Sequence, residues 1–564
     1  MVCSSPFVRE LPSNCYTLME TDQPPASRWR HFTAVSLGIG IIISLACLVN
    51  GQKQPAPSTS ALLVRSSHGW LIHTLNVEEG TWRLPHGISV RTRLYNTAAP
   101  GSILWAAPGD HLRITLRNQL GANLRVASGA ARVGFLEANT TNLHLHGVYD
   151  DASHDDTFAR VQPGGVKTYQ YTLHPDSGTT LLYYHPHAHG STTLQSLGGM
   201  GGALVVEDAV QEAALALPMA ATRVLLLQSL DFDPSSSDFV GIQLESQGSS
   251  TLPATLLNPS GLSRPMLLVN GGEAQREELP VGRWMRLKVV NALVGSSSSL
   301  KLGFLAASGS PRTGVASTRE ESPCRMLVLS LDGVWLREPR LLASTFLPPG
   351  GRAELAVGCR RAGVHTFGSL HSDALGATFV GGEAAIELQV MPETTLGVDE
   401  QRVYGRAATP LDKLPRQLPG PPAYYSDLRN AVVDVRHTIE FSSPGGSNVI
   451  NGRTYDDSAP PSFRLQRGGV VEWQLVSAEL PGSLLKVHPY HQHMTHFQIQ
   501  SVSTPGAVAD ELGVVVGDWR DTIPLSSPVN YTIRFVAPFD GLMMVHCHIL
   551  KHSDFGMMSL ALIQ

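Results

Sequence analysis

The sequence predicts an all-β protein made of three β-sandwiches, on three grounds. Glycine and proline are abundant, 53 and 38 of 564 residues, and charged residues are only 16%, so many turns join short strands. One plan recurs three times, running from an Asn-containing turn to a glycine and then into an alternating apolar strand: LYNTAAPGSILWAAPGDHLRITLRNQL (94–120), LLVNGGEAQREELPVGRWMRLKVVNAL (267–293) and VINGRTYDDSAPPSFRLQRGGVVEWQLVSA (449–478). Each copy also has a later turn that leads into a strand: VQPGGVKTYQYTL (161–173), LPPGGRAELAV (347–357) and SSPVNYTIRFVA (526–537), the last without glycines. Self-similarity at a spacing of about 150 to 180 residues suggests three homologous sandwiches.

Taken in order, residues 1–31 precede an uncharged stretch, FTAVSLGIGIIISLACLV, just after Arg28 and Arg30. The segment 32–50 has the length and flanking charge of a membrane-spanning signal anchor with its N-terminus inside; a start at Met19 would make it a cleaved signal instead. The globular body is therefore expected to be exported, anchored to the membrane or secreted. Residues 51–66 read as a flexible tether. The three units then occupy 67–215, 216–394 and 436–564, with a Pro-rich linker at 395–435 that includes ATPLDKLPRQLPGPPAYY. A segment of that length is expected to lie across the domains.

A net charge of -5 makes nucleic acid an unlikely partner class. Of six cysteines, Cys3, Cys15 and Cys47 precede the globular body, Cys324 and Cys359 lie mid-chain, and Cys547 lies near the end. This is not a disulfide scaffold; Cys324 and Cys359 are either a disulfide or two buried thiols. Asn139 and Asn530 head glycosylation sequons, meaningful only in a host that glycosylates exported proteins.

Twelve of the 22 histidines fall in four clusters: NLHLHG (His144, His146), YYHPHAHG (His185, His187, His189), HPYHQHMTH (His488, His491, His493, His496) and HCHILKH (His546, His548, His552). Alternation along a strand would put the two imidazoles of each His-x-His on one face, which suits binding adjacent metals. The middle unit lacks such pairs, so it reads as a spacer. Imidazole accepts zinc, copper, iron or nickel. A lone thiolate, Cys547, flanked by histidines and followed by His552 and Met557, lacks the paired cysteines of zinc sites and fits copper best.

Together the four motifs resemble those of the multicopper oxidases, the family of laccases, ascorbate oxidases, ferroxidases and bacterial cuprous oxidases. The resemblance covers residues 68–564 and is greatest to bacterial-type three-domain members, given HPHAHG before GGMGGALVVED and the closing HCHILKHSDFGMM. It implies cupredoxin-like Greek-key domains and four copper ions. A type 1 blue site would be made by His488, Cys547 and His552 with Met557 as weak axial ligand. His144 and His491 would hold a type 2 copper, and His146, His185, His187, His493, His546 and His548 two type 3 coppers, between the first and third domains.

The same resemblance places an acidic proton donor at Asp155 or Asp156, and Asp554 in a similar role after His552. Ser553 stands where bacterial members often carry an acid, which puts that proton route in doubt. His189 and His496 are expected to be partly exposed non-ligands, and Met558 is a weaker axial candidate than Met557. Met494 replaces a usual glycine, and Lys486 and Leu484 stand where cuprous oxidases place ion ligands. No methionine occurs in 395–445, which weakens dedicated cuprous oxidation. The expected activity is laccase-like: one-electron oxidation of phenols or aromatic amines coupled to four-electron reduction of O2. A metal-ion oxidase and a non-catalytic cupredoxin-like binding protein are the alternatives.

Overall fold

The computed structural model describes residues 63–84, 89–123, 134–215, 222–230, 243–245, 266–294, 298–305, 322–371, 382–392, 411, 417–479, 487–503 and 507–564. The expected anchor at 32–50, together with Lys486 and Leu484, lies outside them. Among the described residues no helix is long and apolar enough to cross a membrane.

Alternation builds the strands. HLRITLRN (His111–Asn118) buries Leu112, Ile114, Leu116 and Asn118 and turns the residues between them outward. Among the described residues six sheets result, and they close three large apolar cores. The first core runs from Leu71 to Leu204 and Val206, the second centres on Leu287, Leu300, Leu302 and Phe367, and the third includes Trp473, Tyr490, Cys547 and Met557.

The repeated Asn turn is the same device three times. Asn96, Asn270 and Asn451 each adopt φ near +50°. Each carboxamide donates to a nearby strand, at the Thr74, Val224 and Thr438 oxygens, and accepts from the Asn76, Leu226 and Glu440 amides of that strand. Asparagine tolerates this left-handed backbone because its short side chain bonds locally.

One sheet of each sandwich shares a run of four strands; the first adds an edge strand, Leu63–Arg65, and the second and third add a short strand at the opposite edge. In the first it runs Leu63–Arg65, Ile103–Ala106, Gly202–Val206, Thr180–His185, His144–His146. In the second it runs Gln275–Pro280, Glu383–Met391, Gly363–Ser369, Leu300–Phe304, Ser344–Leu347. In the third it runs Phe463–Leu465, Met558–Ile563, Gly541–Cys547, His488–Gln492, Thr522–Leu525. The histidine motifs thus sit in corresponding sheets of the outer copies.

A boundary near residue 215 is not clean, because Gln243–Glu245 returns to pair with Ser89–Arg91 of the first sandwich. Cys324 and Cys359 face each other on adjacent strands and form a disulfide. From the Pro-rich segment, Leu411 and Leu418 bond to Gly282 and Arg337 of the second sandwich, and Leu428 to Gln498 of the third. Asn139, head of one sequon, uses its side-chain amide to donate to Gly121 oxygen.

Candidate metal centre

Two strand pairs bring the histidines together. His144 pairs with His185 and His146 with Tyr183 in the first sandwich; His491 pairs with His546 and Tyr490 with Cys547 in the third. Only His144 and His146 lie wholly within one strand; the other three pairs straddle a strand end, which lets the rings turn inward. Ring centroids within the four pairs are 5.0–5.8 Å apart, closer than the roughly 7 Å of flat alternation. Across the interface His144 stacks on His493 at 4.1 Å and His146 on His491 at 3.8 Å.

Hydrogen bonds fix which nitrogen faces the interior. Nδ1 of His144 donates to Asp155, of His185 to Pro186 oxygen, of His491 to Asp521 oxygen and of His546 to Cys547 oxygen, at 2.6–2.9 Å. Their Nε2 atoms therefore carry lone pairs. His146 takes the opposite tautomer, with Nε2 on Asp521 and Thr522 and Nδ1 facing His548 Nε2 at 3.2 Å. His187 and His493 point Nε2 at His546 Nε2 from 3.1 and 3.2 Å.

Buried nitrogens without any partner remain: His144 Nε2, His185 Nε2, His491 Nε2 and His548 Nδ1. Leaving each unmet costs about 1–3 kcal/mol, so convergence of several is the signature of a site for cations. Burial and the neighbouring rings push these imidazoles down, to about 3 for His185 and about 4 for His546, keeping them neutral and able to ligate. Three-residue ligand geometries arise at His144–His491–His493, His144–His146–His185 and His187–His493–His546.

A separate triad stands at the end of the same strand. Cys547 Sγ lies 3.8 Å from His488 Nδ1 and 3.6 Å from His552 Nδ1. His488 Nε2 donates to Glu479 Oε1 at 2.9 Å, which leaves Nδ1 as the inward lone pair. Burial pushes the Cys547 thiol up, and a cation between these atoms would reverse that preference. Met557 is fully buried in the core that holds Cys547, and its carbonyl accepts from the Cys547 amide; Met558 turns into a different cluster with Met544 and Leu560. His552 is half-buried and His488 fully buried.

The structure separates the acidic candidates. Asp155 is buried, bonds to His144 Nδ1 and accepts from the Leu145 amide and Tyr171 hydroxyl; Asp156 is half-exposed and pairs with Lys167. Asp554 is buried and its carboxylate accepts the Gly190 and Thr193 amides of the first sandwich, a tie between domains, while burial raises it to about 6. Ser553 bonds its hydroxyl to Leu550 oxygen.

His496 departs from expectation: it is buried, with Nε2 donating to Asp332 oxygen at 2.7 Å and Nδ1 accepting from Tyr425 hydroxyl at 2.8 Å. His189 is half-buried beside Tyr455. Met494 keeps a glycine-like φ of +71° while burying its side chain.

Sequence reasoning missed Asp521, Thr522, Glu479 and the middle sandwich's contribution. Arg352 clamps Asp521, with Nη1 at 2.6 Å and Nη2 at 2.5 Å, and Asp521 in turn contacts His146. Gly350, at φ +80°, lies so near His548 that a Cβ there would fall 2.8 Å from its ring. The middle copy buttresses the histidines and is more than a spacer. A polar run, Arg520-Asp521-Thr522, between the apolar Trp519 and Ile523 was the available signal.

Eight converging imidazoles, joined by one strand to a thiolate and two more imidazoles, define a copper-binding redox protein. Family models described as multicopper oxidase match residues 426–564 and 135–211, the two ligand-bearing parts. Similar proteins include the multicopper oxidase mco of Staphylococcus aureus (22% identical; 88% of this chain, 89% of that one) and a laccase of Bacillus stratosphericus (22%; 82% and 89%). Among solved structures, the fold resembles the Campylobacter jejuni multicopper oxidase described as a metallo-oxidase, at TM-score 0.61 and 19% identity over 88% of this chain and 92% of that one. The chain thus matches multicopper oxidase models over its two ligand-bearing parts and is similar to multicopper oxidases and laccases along most of its length.

Proposed function

We propose that the protein is a laccase-like oxidase whose blue site is His488, Cys547, His552 and Met557, and whose oxygen-reducing cluster is held by His144 and His491 (type 2) with His146, His185, His187, His493, His546 and His548 (type 3). The observation that carries this reading is the Cys547 thiol lying within 3.8 Å of two imidazole Nδ1 atoms while its sequence neighbours join the eight-histidine cluster. When bound, copper supplies one-electron transfer at the thiolate and reduction of O2 at the cluster.

The chain's own residues do the rest. His552, the partly exposed ligand, offers its ring edge to a small phenol or aromatic amine. Cys547 links that edge to His546 and His548 through its own backbone, a path of a few covalent bonds. Asp155 orients His144 and lies where a proton can pass toward the cluster; Tyr171 and the Leu145 amide hold its other oxygen. Asp554 fixes the first sandwich against the strand end. The disulfide supports the reading that the body faces an oxidising compartment, reached through the 32–50 segment.

Glu479 favours a second reading, oxidation of ferrous, cuprous or manganous ions, because its carboxylate sits on His488 Nε2 and could guide a cation. Comparing kcat/KM of the copper-loaded chain for a phenol, ferrous ion and cuprous ion decides. Preference for the phenol supports the laccase-like reading. A preference of a hundredfold or more for a metal ion, abolished in Glu479→Gln, refutes it.

A further inference from the structure

An aromatic chain leads away from the histidine cluster, apart from the strand that carries the blue site. Tyr425, from the Pro-rich segment, is buried and stacks on Trp519 with centroids 4.6 Å apart. It meets Tyr424 edge-on at 4.6 Å, and Tyr424 stacks on Tyr149 of the first sandwich at 4.3 Å. Tyr424 and Tyr149 are half-buried and, with His174, line a surface pocket. Neither the blue site nor the ligand set uses any of these rings.

The inner end is built for moving a proton. A carbonyl and a carboxylate only accept, so His496 carries its proton on Nε2, facing Asp332 oxygen at 2.7 Å and Asp521 Oδ2 at 3.2 Å. Its Nδ1 therefore accepts the Tyr425 O–H at 2.8 Å. Loss of an electron from Tyr425 would send that proton along an existing hydrogen bond, and the imidazolium formed would face the Asp521 carboxylate. Asp521 Oδ1 in turn lies 3.3 Å from His146, so the pair is one carboxylate away from the cluster.

We propose that Tyr425 is a redox-active tyrosine with His496 as its proton acceptor, and that Tyr425, Tyr424 and Tyr149 carry an oxidising equivalent from the cluster to the surface pocket when the blue site is short of electrons. This rests on the reading of the eight histidines as the oxygen-reducing cluster. Reduction of O2 to two waters takes four electrons and four protons. When only three electrons arrive from the cluster, the fourth leaves Tyr425, its phenolic proton passes to His496 Nδ1, and Tyr425 becomes a neutral tyrosyl radical. All four protons of the two waters come from solvent, because the phenolic proton stays on His496. A small phenol or thiol at the pocket then donates an electron through Tyr149 and Tyr424, and Tyr425 regains its proton from His496.

The test uses the full chain loaded with copper. Cys547→Ser, which lacks the blue site, is reduced with dithionite, freed of excess reductant, mixed with O2 and frozen for electron paramagnetic resonance. A tyrosyl signal is expected, falling at least tenfold in Cys547→Ser/Tyr425→Phe, which keeps the stacked ring and removes only the O–H. In a second arm the oxidised wild-type chain is photo-oxidised with ruthenium tris-bipyridine and persulfate, and the radical is expected to depend on Tyr425 again and to diminish in His496→Gln. An unchanged signal in the Tyr425→Phe variants, or no tyrosyl signal in the O2 arm, overturns the proposal. Failure of the cluster reading shows separately, as fewer than three bound copper ions in Cys547→Ser, while the photo-oxidation arm still judges the Tyr425–His496 pair.

Discussion

The middle and third sandwiches contain the same pair of neighbouring strands, Leu300–Phe304 beside Gly363–Ser369 and His488–Gln492 beside Gly541–Cys547, yet only the second pair presents ligands. In the middle copy Leu300, Leu302 and Phe367 occupy these strands and pack into its own core. In the third, Tyr490 and Val545 stand where Leu302 and Phe367 do and fill the core, while His488, His491, His546 and Cys547 stand where the middle copy has Leu300, Gly303, Gly368 and Ser369. Strand pairing thus fixes where a ligand can stand, and side-chain chemistry decides whether one does. The middle copy also serves the site in another way. Its Arg352 and Gly350 reach the groups that surround the cluster, so it shapes a site to which none of its described residues is a proposed ligand.

Acid should separate the copies most strongly. In the copper-free chain the buried imidazoles have folded pKa values below the unfolded value of about 6.5, so the unfolded state binds more protons and stability falls with pH from about 6.5 toward about 4 for His546 and about 3 for His185. Hydrogen exchange against pH should show the strands of the outer copies opening first, with the middle copy's strands protected to lower pH. Simultaneous loss would mean the three cores are one cooperative unit.

Arg352→Leu leaves Asp521 buried without its main partner, and denaturant titration should read a loss of about 3–5 kcal/mol. Cluster copper should fall while the blue band persists. Leu302→Ala opens a cavity in the middle core and should cost about 2–5 kcal/mol, with copper content and spectrum unchanged. Gly350→Ala combines a left-handed backbone with a clash against His548 and should cost about 1–3 kcal/mol, accompanied by weaker cluster occupancy. Met557→Leu conserves volume, so its stability change should stay under about 1.5 kcal/mol, while voltammetry shows a higher blue-site potential because the thioether donor is gone.

Much of this was readable in the residues. The threefold repeat, the all-β class and the four histidine clusters are local patterns, and local patterns survive in a linear sequence. The Asn turns at 96, 270 and 451 are an example, since each satisfies itself within its own sandwich. Asp155 could not be told from Asp156 because both lie in one acidic loop, and only folding points one carboxylate at His144. Likewise His496 looked like a surface companion of the ligands, whereas its partners, Tyr425, Asp332 and Asp521, come from three separate segments. Arg352, a charge following a glycine turn, carried no mark of the interface it serves.

On the proposed reading, one strand end, residues 546–548, serves two separate centres through alternate side chains. Copper content and visible absorbance of the wild-type chain and Cys547→Ser put this to the test. The variant should lose the intense thiolate-to-copper band and one copper ion per chain, and its phenol-driven oxygen uptake should fall by about three orders of magnitude or more, while the cluster's copper stays. Retention of the band, or loss of all copper together, would contradict the division of the strand end between two centres.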